Sequence, residues 1–405
     1  MQTQIDPALK DKDEIAEADE ILRSCVHCGF CTATCPTYQI LGSELDSPRG
    51  RIYLIKELLE GKEVTEKTRL HLDRCLTCRA CETTCPSGVR YGRLVDIGRK
   101  LVEEKAPRSF ADKMLRKAML EVLPEPRRFD IAMKAGRLVK PLLPPQLKNK
   151  LPKVKHAKPL PTTNHQRRML VLQGCVQTLT TPNTNAAAAR VLDKLGISLI
   201  AAEKAGCCGA INQHLSDGDN AKQRMRNNID AWWPYIEDGI EAIVMTASGC
   251  GLMVKEYSQE LKDDPDYAGK AMHISNLARD LSEILRDEDL SEFATNGKDV
   301  KVAYQSSCTL QHGQKLSGAV ESILQKCGYT LTPVPDSHLC CGAAGTYTLL
   351  QPELSQQLLN NKLNALESGQ PDVIATANIG CQMHLDSAAK TPVHHWIELL
   401  DNSYQ

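Results

Sequence analysis

The chain is short of aromatic side chains and has no long apolar run. Four phenylalanines and three tryptophans in 405 residues leave the core to Leu, Ile, Val, Ala and Met. No stretch approaches the roughly 20 apolar residues of a membrane-spanning helix, so integral insertion is excluded. The N-terminus, MQTQIDPALKDKDEIAEADE, is acidic and lacks the apolar segment of a secretory signal peptide. An oxidising compartment and structural disulfides are therefore not expected. Also missing are a G-x-G-x-x-G turn for dinucleotides, a P-loop, G-x-S-x-G and H-E-x-x-H. No organic substrate is expected to be oxidised on this chain. Net charge is close to balance, with 49 Lys and Arg against 50 Asp and Glu. With no binding motif beside the basic residues, nucleic acid is not an expected partner. The length suits two or three domains, each with its own core.

Cysteine is abundant instead, with 17 in all. Eight fall into two copies of one pattern, Cys25-x-x-Cys28-x-x-Cys31-x-x-x-Cys35-Pro36 and Cys75-x-x-Cys78-x-x-Cys81-x-x-x-Cys85-Pro86. A cubane needs thiolates at four corners. Three evenly spaced cysteines wrap three of them, and in two-cluster ferredoxins the fourth cysteine of each run serves the other cluster. The expected assignment is Cys25, Cys28, Cys31 and Cys85 for one [4Fe–4S] cluster, and Cys75, Cys78, Cys81 and Cys35 for the other. Structural zinc also uses paired C-x-x-C, but it rarely needs three evenly spaced cysteines and a Cys-Pro, twice over. Each proline is expected to turn the chain away after its cysteine.

From Arg108 to Lys158, fourteen Lys and Arg face four Asp and Glu, and prolines are frequent. Within it, KMLRKAMLEVL and RRFDIAMKAGRLVKPLL have helical apolar spacing beside basic residues. The segment is a solvated connector or a surface for anionic lipid or an acidic partner, with Lys148, Lys150, Lys153 and Lys155 as candidate contacts.

The other nine cysteines repeat too. Cys175, Cys207, Cys208 and Cys250 form one set; Cys308, Cys340, Cys341 and Cys381 form the next. Only Cys327 stands outside, and its default role is a small buried hydrophobe. β-runs such as RRMLV, EAIVM, VKVAY and DVIAT precede these cysteines. Helix-like NTNAAAARVLDKLG and SGAVESILQKCG lie between them, each ending at glycine. Strand–helix alternation predicts one parallel sheet per repeat, with the cysteines gathered at the carboxyl edge, where α/β sheets bind ligands. The second set, with His384 as a potential fifth ligand, is the leading candidate for a third cluster. The first set is the other candidate, and Met253 there is expected to pack. Two buried thiols or a vicinal disulfide remain the alternatives at each Cys-Cys pair.

The order of these motifs, and the SPRGR segment (Ser47 to Arg51) after the first run, resembles the iron–sulfur subunits of membrane-associated flavin dehydrogenases. Among them are glycerol-3-phosphate dehydrogenase and lactate-utilisation subunits and the heterodisulfide-reductase B-type subunit. The resemblance is closest to the bacterial glycolate oxidase iron–sulfur subunits. It covers about Cys25 to Cys381. It implies an α+β then α/β chain: a helical two-[4Fe–4S] ferredoxin-like domain (1–107), a basic proline-rich linker (108–165), then two Cys-Cys-Gly domains (166–296 and 297–405) related by a pseudo-twofold axis. It further implies two partner subunits carrying FAD, a quinone acceptor, and a peripheral place at the cytoplasmic face of the inner membrane. Glycolate would be oxidised to glyoxylate on the partners, and electrons would pass through this chain. The alternatives are the iron–sulfur subunit of a lactate or glycerol-3-phosphate dehydrogenase, and a thiol–disulfide reductase role like that of the heterodisulfide relative. The latter is weakened because Met253 and His384 stand where that family closes its repeat with a further cysteine.

Overall fold

The structure, a computed structural model, describes residues 1–10, 13–140 and 156–404. Lys148, Lys150, Lys153 and Lys155 lie outside the described residues. The chain forms two compact units, each described here by itself. The first comprises Met1–Arg116, His214–Ser216 and His338–Lys362, and the second comprises Lys117–Gln213, Asp217–Ser337 and Leu363–Gln405.

In the first unit the helices Asp13–Ser24, Pro48–Leu59 and Tyr91–Lys105 pack against one another. Ile15, Leu22, Ile55, Leu59, Leu94 and Val95 form an aliphatic core between them, as the scarcity of aromatics requires. The two cysteine loops are conformational copies. His27 and Gly29 in the first, and Thr77 and Arg79 in the second, all have positive φ. Three of these four are not glycine, and left-handed backbone costs such residues roughly 1–2 kcal/mol each. That both copies keep it marks a path held by what the loop must do. A short helix follows each loop, Phe30–Ala33 and Ala80–Thr83. Pro36 does more than turn the chain: it opens the helix Pro36–Leu41 at the first helical position, where a missing N–H costs nothing.

The second unit holds two four-stranded parallel sheets. One has the order β2-β1-β3-β4, from β1 (Arg167–Val171), β2 (Ile197–Ala201), β3 (Ile243–Met245) and β4 (Ala278–Asp280). The other has the order β6-β5-β7-β8, from β5 (Lys301–Gln305), β6 (Thr330–Leu331), β7 (Val373–Thr376) and β8 (Val393–His395). The two orders are the same when shifted by four strands, so the cysteine repeat is a repeat of topology. β4 and β8 were not anticipated from sequence. Each is three residues long and runs into a side-chain-capped helix, Leu281–Arg286 behind Asp280 and Trp396–Leu400 behind His395.

The sheets share one apolar core, with Met169, Val191 and Leu192 from the first repeat and Val302, Ile323 and Trp396 from the second. Helix contacts across it are reciprocal. Asn183–Lys194, which follows β1, packs on Trp396–Leu400, and Ala319–Lys326, which follows β5, packs on Leu281–Arg286. The first pair is locked by Arg190, whose Nη2 lies 2.6 Å from Asp401 Oδ2. His395 joins the repeats directly: its Nε2 donates to the Thr246 carbonyl at 2.8 Å while its Nδ1 accepts from the Ile397 N–H. Burial lowers its pKa to about 4, which keeps the ring neutral for both roles.

The basic segment forms the two expected amphipathic helices, Phe110–Val122 and Pro126–Val139. Phe110, Met114, Leu115, Ile131 and Leu138 on them are exposed. No helix among the described residues is long and apolar enough to cross a membrane.

Candidate functional site

The eight N-terminal cysteines line two cavities in the first unit. Cys25, Cys28, Cys31, Cys81 and Cys85 line the larger, about 430 Å³ of atom-free space partly open to solvent. Cys35, Cys75, Cys78 and Cys81 line the smaller, about 300 Å³. Each cavity takes three thiols from one motif and is completed from the other, by Cys85 in the first and Cys35 in the second, and Cys81 lines both. Among the described residues no three His, Cys, Asp or Glu side chains are already drawn in around a single metal ion.

Electrostatics gives the cavities a preference. Burial, then the neighbouring Cys25, pushes the Cys31 thiol up to about 11. Burial, then Cys340, raises Cys78, and burial, then Cys78, raises Cys81. Crowded thiols that cannot ionise together in a low-dielectric space are relieved by a cationic metal group, and thiolate is a soft donor suited to iron–sulfur chemistry. The residues therefore fit two [4Fe–4S] groups.

The walls of the two cavities differ. The first is lined by Val26, Pro48, Ile52, Pro86 and Val89 together with His27, Arg49, Ser87 and Tyr91, of which Pro48 and Tyr91 also line the second. The second is polar at its sulfurs: the Tyr91 hydroxyl donates to Cys75 Sγ at 3.5 Å, and the Thr77 N–H donates to the same sulfur at 3.4 Å. Arg51, 1 % exposed, reaches Cys35 Sγ at 4.0 Å. Neither Arg51 nor Tyr91 was a candidate from sequence. The SPRGR segment was the one available signal for Arg51, and its meaning was not readable without the packing.

The cysteines of both C-terminal repeats follow the carboxyl ends of strands, as expected. In the first repeat all four meet in the second unit. Cys207 takes hydrogen bonds from Cys175 and then Cys208, which hold it well below an ordinary thiol and raise both donors. Cys208 is also hydrogen-bonded to Cys250. Asn228, 1 % exposed, fixes the loop: its Nδ2 donates to the Cys207 carbonyl at 3.0 Å and its Oδ1 accepts from the Gly206 N–H at 2.7 Å. The Tyr257 hydroxyl donates to the Cys208 carbonyl at 2.9 Å. Met253 is buried in the core, as expected.

In the second repeat, Cys340 and Cys341 belong to the first unit, and Cys308 and Cys381 to the second. Cys340 is close enough to Cys78 to raise its pKa. His384 is half-buried on the helix Ile379–Asp386, one turn beyond Cys381 and on the same face. The glycines of the two Cys-Cys-Gly motifs have φ of +93° at Gly209 and +89° at Gly342. A Cβ at Gly342 would sit 2.7 Å from the Ser355 carbonyl oxygen, and one at Gly209 3.1 Å from that of Ala221. Each glycine thus lets the next long helix close on the cysteine loop.

Residues 21–89 match the family described as 4Fe-4S dicluster domain, and residues 169–255 and 302–386 each match the family described as Cysteine-rich domain. The chain is 58 % identical over 406 residues to the glycolate oxidase iron-sulfur subunit of Escherichia coli (strain K12), covering 100 % of both. It is 31 % identical over 397 residues to the probable glycolate oxidase iron-sulfur subunit of Bacillus subtilis (strain 168), covering 90 % of this chain and 88 % of the relative. In fold it is similar to a hypothetical protein from Helicobacter pylori, with a TM-score of 0.58 at 10 % identity, over 97 % of this chain and 72 % of that one.

Proposed function

The chain belongs to the family of glycolate oxidase iron–sulfur subunits, and on that premise we propose that it carries electrons from two flavin-bearing partner subunits toward a membrane quinone. Cys25, Cys28, Cys31 and Cys85 would hold one [4Fe–4S] cluster and Cys75, Cys78, Cys81 and Cys35 the other. The observation that carries this reading is the pair of thiol-lined cavities, each completed by a cysteine of the other motif. Bound clusters supply one-electron storage and transfer. The chain's own work is to hold eight thiolates in place, keep water from the sulfurs and set the polarity around them. Glycolate oxidation itself is assigned to the partners.

The Cys28 edge is the face we assign to the flavin-bearing partner. Cys28 is the only exposed cysteine of the eight, and Val26 and Phe30 beside it are 68 % and 62 % exposed. In the second motif, fifty residues on, the corresponding Leu76 and Ala80 are buried. The gathered quartet Cys175, Cys207, Cys208 and Cys250 supports a further redox site in the first repeat. Cys308, Cys340, Cys341 and Cys381 with His384 are its counterpart in the second. The matching strand orders and reciprocal helix contacts support a pseudo-twofold relation between repeats. Exposed apolar residues among lysines on Phe110–Val122 and Pro126–Val139 support peripheral attachment at the cytoplasmic face of the inner membrane.

The test is anaerobic mixing of glycolate with the complete complex, followed by rapid-freeze EPR. The proposal expects reduced-cluster signals to appear within one turnover. Flavin reduction with both clusters still oxidised would overturn it.

A further inference from the structure

The two cavities hold duplicated cysteine runs, yet the chain treats their sulfurs differently. Beside the second set, Arg51 places a guanidinium at 4.0 Å from Cys35 Sγ. The same group donates to Thr37 Oγ1 at 3.2 Å and, through Nε, to the His71 carbonyl at 2.7 Å. Arg99 donates to the Cys75 carbonyl at 2.6 Å, and the Tyr91 hydroxyl points at Cys75 Sγ. Asp46 answers this charge, but it is shared between Arg51 at 3.5 Å and Arg74 at 3.1 Å, so the cations outnumber it. Around the first set Val26, Ile52, Val89 and two prolines stand beside His27, Arg49, Ser87 and the ring of the shared Tyr91, and the Arg49 backbone N–H donates to Cys31, but among the described residues no buried guanidinium lines it. The guanidinium in its lining, Arg49, is a third exposed and paired to Glu44 at 2.8 Å.

Each electron added to a cluster makes it more negative. Hydrogen bonds to its sulfurs and unscreened positive charge stabilise that reduced form and raise the reduction potential. Arg51 is buried, so solvent screens it little. Resting on the two-cluster reading above, we propose that Arg51 and Tyr91 make the Cys35, Cys75, Cys78 and Cys81 site the higher in potential. The Cys25, Cys28, Cys31 and Cys85 site, open at Cys28, is then the entry. One electron at a time leaves the partner's reduced flavin for the entry site and falls to the second, whose Cys78 neighbours Cys340.

The SPRGR segment acquires a physical meaning on this account. Ser47 caps the helix Pro48–Leu59 by accepting from the Gly50 N–H at 2.9 Å, and Pro48 occupies the first helical position. A Cβ at residue 50 would stand 1.9 Å from the Glu44 carbonyl oxygen, so only glycine lets the helix start seat against that turn. The result aims Arg51 inward at Cys35. Arg51 and Tyr91 are positioning residues: they act on the potential through the sulfurs.

The experiment is an EPR-monitored redox titration of the whole purified chain, comparing wild type with Tyr91→Phe and Arg51→Lys. Tyr91→Phe removes one hydroxyl and keeps the ring, so it tests the proposal even where Arg51→Lys folds poorly. The expected result is a shift of one midpoint to more negative potential at unchanged iron content. The shifted signal should be the one that Cys28→Ser leaves intact. An unmoved midpoint in iron-replete Tyr91→Phe, or a shift confined to the signal that Cys28→Ser perturbs, would overturn the proposal. Wild-type chain lacking two cluster signals would instead overturn the functional reading, and this proposal with it.

Discussion

The Tyr347 hydroxyl donates to the Arg74 carbonyl at 3.0 Å, across 273 residues of sequence. It ties the segment that carries Cys340 and Cys341 to the residue just before Cys75. A single such hydrogen bond contributes on the order of 1 kcal/mol. Tyr347→Phe should therefore loosen residues 340–350 locally, with amide hydrogen exchange there faster by about fivefold. Mass-spectrometric exchange on the whole chain checks this, and unchanged protection would mean that the segment is held by its other contacts.

Crossed ligation makes a prediction about pairs of substitutions. Cys28→Ser combined with Cys35→Ser should damage both clusters, because the two residues line different cavities. Cys78→Ser combined with Cys35→Ser should damage only one. Iron and acid-labile sulfide per chain, measured after anaerobic purification, decide between them. Uncrossed ligation gives the opposite pattern.

Stability should depend on pH through Asp280. Burial lifts its carboxyl to about 6, although it accepts hydrogen bonds from the Ser282 N–H and Oγ, and Glu283 raises it further while Lys255 opposes. The folded state then holds a proton that the unfolded chain, near 3.8, has lost. Between those values stability falls as pH rises, and above about 6 the cost is fully present, roughly 2–3 kcal/mol by linkage. Asn caps a helix as well as Asp does. Asp280→Asn should thus be the more stable form at pH 7–8, with the difference shrinking toward pH 5. Denaturant unfolding of the second unit's helical signal across that range measures it; a variant that is weaker at pH 8 would contradict the assignment.

The N-terminal sites were legible in the sequence because their ligands repeat at a fixed period and belong to two short stretches. The parallel sheets were legible from β-runs that stop just before a cysteine. β4 and β8 were not, since three residues carry no periodicity and the polar Arg279 and His394 interrupt any apolar run. Arg51 and Tyr91 escaped for a different reason. Their importance depends on which sulfur each meets, and those meetings join residues 16 apart that no local pattern links. The placement of Cys340 was hidden as well. Its sequence partners all lie in the C-terminal repeat, while its compact unit is the N-terminal one.

That placement sets a schedule for biogenesis. The unit that surrounds the N-terminal thiols is finished only when His338–Lys362 has been synthesised, after an intervening stretch of more than two hundred residues. At translation rates of about 5–20 residues per second, the wait is roughly ten to forty seconds. Through that interval Cys78 stands without its neighbour Cys340, and the Arg74 carbonyl without the Tyr347 hydroxyl. The N-terminal unit therefore closes late in synthesis, and slower translation lengthens the time it spends without its last segment.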